Sequence, residues 1–206
     1  MTGPAQPPGP PRAWQRMLSG RRLDLLNPAS DDVAIEDIAH GLARVARWNG
    51  QTRGTYALSV AQHCVIVADI LAVLEPDAGR NGQLAGLLHD SPEYVIGDLI
   101  SPFKAAIGLD YKAFEEKLLA AIHARFSLPH PLPVHLTTAI KRADRIAAFY
   151  EATGLAGFDA AEGERYFGPV ECLPDALHET LLRLEPLSVT DAQDAYIARY
   201  AALLQL

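Results

Sequence analysis

At 206 residues, with 49% hydrophobic and 21% charged side chains, the chain is long enough to bury a core of its own and too apolar for wholesale disorder. Eighteen Lys and Arg against 25 Asp and Glu leave a formal charge of −7. That balance argues against nucleic acid or an anionic membrane as partner, since both call for basic excess, so an anionic substrate has to be met by a metal and a few local cations. Cys64 and Cys172 are the only cysteines and form no CxxC pair, so neither a disulfide framework nor a cysteine zinc site is indicated, and a cytoplasmic setting fits.

The opening MTGPAQPPGPPR holds five of the fifteen prolines and no apolar h-region. Residues 1–20 are therefore expected to form a Pro-rich, disordered arm rather than a signal peptide, with 21–206 as a single domain. Ile35, Ile38, Ala39, Leu42, Val45 and Ala46 recur at helical spacing and predict a first helix from Ile35 to Arg47, ended by Gly50. Ser59 caps a second, with Val60, Cys64, Val67, Ala68, Leu71 and Leu74 on one stripe before Pro76. Its longest apolar run, Cys64 to Leu74, contains Asp69 and is far below the roughly 20 residues of a membrane span.

A third helix is predicted from Gly82 through His89-Asp90, where Ser91-Pro92 interrupts it. Proline lacks an N–H and crowds the preceding turn, so the chain either kinks there or restarts with Ser91 as cap and Pro92 at the first helical position. Tyr111–Phe126 and Val134–Thr153 read as the fourth and fifth helices, with two more near Pro174–Leu184 and Val189–Leu204. No alternating strand pair, long-period repeat or Gly-rich phosphate loop is visible. The expected fold class is all-α, a bundle of about six to seven helices.

The informative feature is where imidazoles and carboxylates fall against the apolar stripes. His63 borders the buried face of the second helix, and Asp144 sits among Ile140, Ala147 and Ala148 on the fifth, where a carboxylate needs a strong partner. His89-Asp90 ends the apolar GQLAGLLHD segment. Two histidines and two aspartates from three helices can thus converge on one divalent cation and leave positions open for water and substrate. Such mixed ligation suits Mn, Co, Zn, Fe or Mg alike. Glu93 faces the same space if the helix continues through Pro92. Cys64 beside His63 suggests a nucleophile pair, but neighbours on a helix point about 100° apart. His40, His123, His130, His135 and His178 are left as surface or packing residues.

A lone His, an HD pair and a distant Asp before an apolar helix resemble the HD-domain superfamily of metal-dependent phosphohydrolases. The segments RWNG, LSVAQHC, LLHDSPEYVIGDLISPFK and KRADRIAAFYEA are similar to its bacterial 5′-deoxynucleotidase branch and to phage dATP triphosphohydrolases. This resemblance spans about Ile35 to Glu151 and implies an HD-type helical domain. It also implies that His63, His89, Asp90 and Asp144 hold the metal, and that Glu93 and Asp98 are catalytic, one orienting the attacking water and one protonating the leaving ribose oxygen. Arg47 and Trp48 are implied to touch phosphate and nucleoside, with Lys104 near the substrate. The expected activity is hydrolysis of the 5′-phosphate of (deoxy)nucleoside monophosphates. The alternatives are a dATP-type triphosphohydrolase and a metal-binding interaction module without catalysis. By analogy with the relatives, a homodimer or higher homo-oligomer is expected.

Overall fold

A computed structural model describes residues 13–98, 109–169 and 172–205. Its centre is α2 (Val60–Leu74), on which Val60, Ala61, His63, Cys64, Val67, Ala68, Ile70 and Leu71 are all fully buried. A helix apolar on most of its circumference must be packed on several sides. Helices α3 (Gly79–Leu87), α6 (Val134–Gly154) and α9 (Val189–Leu203) surround it. Ser59 caps α2 as its sequence foretells, its hydroxyl oxygen accepting from the Gln62 N–H at 3.2 Å.

The remaining helices among the described residues are α1 (Ile35–Leu42), α4 (Glu93–Ile96), α5 (Leu109–Arg125), α7 (Ala160–Phe167) and α8 (Asp175–Leu182). The protein is thus predominantly α-helical, with nine α-helices in the described residues where six to seven were expected. Both extra ones are short. None of these helices is long and apolar enough to cross a membrane.

Four expectations need correction. The first helix stops at Leu42 rather than Arg47, because residues 45–47 turn to pair with the start of α2: the Arg47 N–H donates to Leu58 O at 2.8 Å and the Val60 N–H to Val45 O at 3.0 Å. A short 3-10 turn follows at Arg47–Gly50, with Trp48 (φ 56°) and Asn49 (φ 50°) left-handed. The third helix begins at Gly79 rather than Gly82 and ends at Leu87, so His89 and Asp90 stand in a turn. Ser91 does not cap the restart. Its hydroxyl donates backward to Leu88 O at 2.6 Å, and Pro92 occupies the N-cap of α4.

The fourth correction is a strand pair absent from the sequence reading. Strands β1 (Trp14–Arg16) and β2 (Arg22–Asp24) form an antiparallel hairpin with Gln15 opposite Leu23. The Arg22 guanidinium lies 4.6 Å from the centre of the Trp14 ring, and Ser19 at the tip is bound by Asp37 of α1. A hairpin this small needs such tertiary anchors. Gly41 serves α1 in a different way: a Cβ there would stand 2.7 Å from Tyr94 O, so the close seating of α4 on α1 requires glycine.

Candidate metal centre

His63 projects from the first turns of α2, His89 and Asp90 from the turn after α3, and Asp144 from the middle of α6. Burial of α2 against α3 and α6 brings them together. One atom each of His63, His89 and Asp90 lies within 4.8 Å of the others. Asp90 Oδ2 is 3.3 Å from His89 Nε2 and 3.6 Å from His63 Nε2, while Asp144 Oδ1 stands 3.2 Å from His63 Nε2. The histidine side chains are 0% and 11% exposed, whereas Asp90 and Asp144 are 24% and 39% exposed. The cluster therefore opens to solvent on its carboxylate side.

The ring nitrogens show that these residues suit a cation. His89 Nδ1 is 2.9 Å from Gly86 O; a carbonyl only accepts, so Nδ1 carries the hydrogen and neutral His89 presents an Nε2 lone pair. His63 Nδ1 is 2.6 Å from Glu151 Oε1. Both Nε2 atoms are buried and make no hydrogen bond. A histidine held through Nδ1 by a carbonyl or carboxylate, with Nε2 bare beside other donors, is the arrangement of a metal ligand and its supporting partner.

Charge follows the same logic. Burial opposes ionisation of Asp90, yet His89, His63 and Arg47 outweigh it and hold the carboxyl below its usual range. Burial and then Arg47 oppose a proton on His63; Glu151 and the contact with Asp144 overcome them and raise it. Burial likewise opposes a proton on His89, and Asp90 foremost raises it well above the ordinary value. Three carboxylates around two imidazoles demand positive charge, which protons or a divalent cation can supply.

The neighbouring residues divide into those the structure brings to the cluster and those it uses as supports. Glu93 opens α4 directly after the His89–Asp90 turn, its N–H donating to Asp90 O at 3.0 Å, and it is 1% exposed. Asp98 is half-buried just after Gly97, and its charge is felt at Arg47. Lys104 lies outside the described residues. Arg47 and Trp48, expected at phosphate and nucleoside, converge on Glu151. Its Oε2 accepts from Arg47 Nε at 3.2 Å, Arg47 Nη2 at 3.1 Å and Trp48 Nε1 at 3.0 Å. The left-handed Trp48 packs its ring on Phe158 and Phe167, both centred 5.8 Å away, and Arg47 Nη1 reaches to 3.7 Å from Asp90 Oδ2.

Glu151 is the residue the sequence reading passed over. It is fully buried, and although burial raises its pKa, Arg47, His63 and the Trp48 N–H bring it down to about 2. A signal existed: Glu151 falls seven residues after Asp144, two helical turns on, and so shares its face. The environment of Cys64 disfavours a thiolate nucleophile. Burial pushes its thiol up, and the side chain meets His89 rather than His63.

The fold and cluster together define a predominantly helical protein with a partly buried His-His-Asp group that could hold a metal ion. No family model matches the sequence. It is 52% identical over 194 residues to the uncharacterized protein RCAP_rcc00048 of Rhodobacter capsulatus, covering 94% of this chain and 97% of that one. To the uncharacterized protein YfdR of Escherichia coli it is 30% identical over 192 residues, covering 93% and 96%. The chain belongs to the family that contains these two proteins.

Proposed function

We propose that this protein is a metal-dependent phosphohydrolase of the HD-domain type, acting on the 5′-phosphate of (deoxy)nucleoside monophosphates. The observation that carries the reading is the pair of bare Nε2 atoms of His63 and His89 beside Asp90 Oδ2, with Asp144 on the open side. The choice of a nucleotide as substrate rests on the resemblance of the sequence around these residues.

His63, His89, Asp90 and Asp144 would hold one divalent cation. When bound, such a cation polarises a phosphoryl oxygen, lowers the pKa of a water to about 7 and offsets substrate charge. The chain's own residues supply the rest. The two histidines form the closed, dry wall, and the exposed edges of Asp90 and Asp144 leave the approach to the anionic group. Glu93, buried and directly after the His89–Asp90 turn, would be the group to hold or pass a proton, the kind of contribution worth roughly 10²–10⁴ in rate. Arg47, fixed between Glu151 and Asp90, keeps a permanent positive charge at the rim.

The test is a phosphate-release screen of nucleoside mono- and triphosphates against Mn²⁺, Co²⁺, Zn²⁺, Fe²⁺ and Mg²⁺. Release from 5′-monophosphates that needs added metal and is lost in Glu93→Ala is the expected result. Tripolyphosphate from dATP would transfer the assignment to a triphosphohydrolase. Metal binding without turnover on any nucleotide would reduce the protein to a binding module.

A further inference from the structure

A single buried carboxylate touches both halves of the candidate centre. Glu151 Oε1 meets His63 Nδ1, and its Oε2 takes three donors from Arg47 and Trp48. We infer that Glu151 is a positioning residue: it fixes His63 with hydrogen on Nδ1 and the lone pair on Nε2, and through the same carboxylate it sets where the Arg47 guanidinium stands relative to Asp90. The inference rests on the metal-centre reading above and extends it to a residue two helical turns beyond Asp144.

The chemistry requires a carboxylate at this position. Its two oxygens are acceptors on both sides, which suits a ring N–H on one side and guanidinium and indole N–H groups on the other. A glutamine has one acceptor and one donor. Facing three fixed donors, its carbonyl turns to Arg47 and Trp48, and its NH₂ is left facing His63 Nδ1. Nδ1 must then accept, the ring hydrogen moves to Nε2, and the nitrogen beside Asp90 and Asp144 loses its lone pair. A near-isosteric change remote from the cation position therefore disables a ligand. No other described side chain hydrogen-bonds His63 Nδ1, so nothing in the described structure substitutes for Glu151 there.

The experiment measures affinity for Zn²⁺ and for Mn²⁺ alone, by competition with a chromophoric chelator, on the full-length wild type, Glu151→Gln and Arg47→Gln. Loss of a supporting partner of a histidine ligand typically costs about 10–100-fold in affinity, and that loss is expected for Glu151→Gln. Arg47→Gln breaks the same buried ion pair and removes a positive charge beside Asp90 but leaves the Glu151–His63 contact, so its metal affinity should not fall and should hold or rise. Equal losses in both variants would mean that Glu151 acts only as part of the ion pair, and wild-type affinity in folded Glu151→Gln would also overturn the assignment. If Glu151→Gln does not fold, nitrogen-15 NMR of histidine-labelled wild type loaded with Zn²⁺ decides: Nδ1 of His63 protonated supports the inference, and Nδ1 as the metal-bound nitrogen refutes it. Wild-type protein that binds Zn²⁺ but releases no phosphate defeats the hydrolase reading and leaves Glu151 its role; protein that binds neither metal defeats both.

Discussion

Two histidine pairs lie in this molecule with ring centres 5.3 Å apart, and they could hardly be set up more differently. His63 and His89 turn their Nε2 atoms to Asp90 while their Nδ1 atoms are held from behind. His123 and His130 instead place Nδ1 against Nδ1 at 3.3 Å, with Pro129 O 3.2 Å from His123 Nδ1 and only the half-exposed Glu116 at the outer edge of His130. His123 also has a buried Nε2 without a hydrogen bond, but among the described residues no set of three ligating groups forms there. Burial disfavours the charged ring in both places. Carboxylates reverse that at the first pair and raise both imidazoles, whereas burial and then His130 bring His123 down to about 4. Two close histidines do not by themselves make a candidate metal group; the carboxylate beside them does.

The largest expected effect separates the pairs directly. His89→Ala and Asp90→Ala should each lower Zn²⁺ affinity by more than the roughly 100-fold that loss of a supporting partner costs, and abolish metal-dependent phosphate release. His130→Ala should leave both unchanged, as chelator competition and phosphate assays will register. Next, Glu93→Gln separates binding from chemistry. Phosphate release should fall about 10²–10⁴-fold with Zn²⁺ affinity kept within a few-fold. Equal activity in that variant removes Glu93 from the mechanism.

A smaller effect concerns stability. Cation at 100 times its Kd should stabilise the fold by about 2.7 kcal/mol, a rise of roughly 5–10 °C in melting temperature for a chain of this size. A chelator should reverse it, and His123→Gln should show the same increment. The smallest is a pH effect belonging to the second pair. His123 has a folded pKa near 4 against 6.5 unfolded, so above pH 6.5 both states are neutral and its contribution is complete. Below pH 6.5 the unfolded chain takes up the proton first, and stability is lost down to about pH 4. Denaturant titrations at pH 7.5, 5.5 and 4.5 should show a loss on the order of 1–2 kcal/mol in excess of that in His123→Gln, allowing for solvent screening.

Helices α2, α5 and α6 were legible because long apolar periodicity, a serine cap and proline stops all agreed. The grouping of His63, His89 and Asp90 was legible for a related reason: polar groups set against apolar stripes have to meet something. The end of α1 was not, since the hydrogen bonds that pull residues 45–47 away from the helix come from residues 58–60, and local propensity carries no trace of them. Pro92 announced a break but left its form open, and that form puts His89 and Asp90 on a turn. Two misses were avoidable. Asp159 and Glu162 spell the reciprocal cap that starts α7, and Glu151 repeats Asp144 on the same helical face. The hairpin was beyond reach, because three-residue strands are too short for alternation to register.

The proposed ligand positions 63, 89–90 and 144 also span about 80 residues of chain across three elements. A cation held there is a clasp between distant parts of the polypeptide, and parting α2 from α6 and releasing the ion become one event. The α5–α6 connection at 126–133 lies within the loop that this clasp closes. Its cleavage by a protease should therefore follow metal occupancy, giving a readout of the centre that needs no substrate.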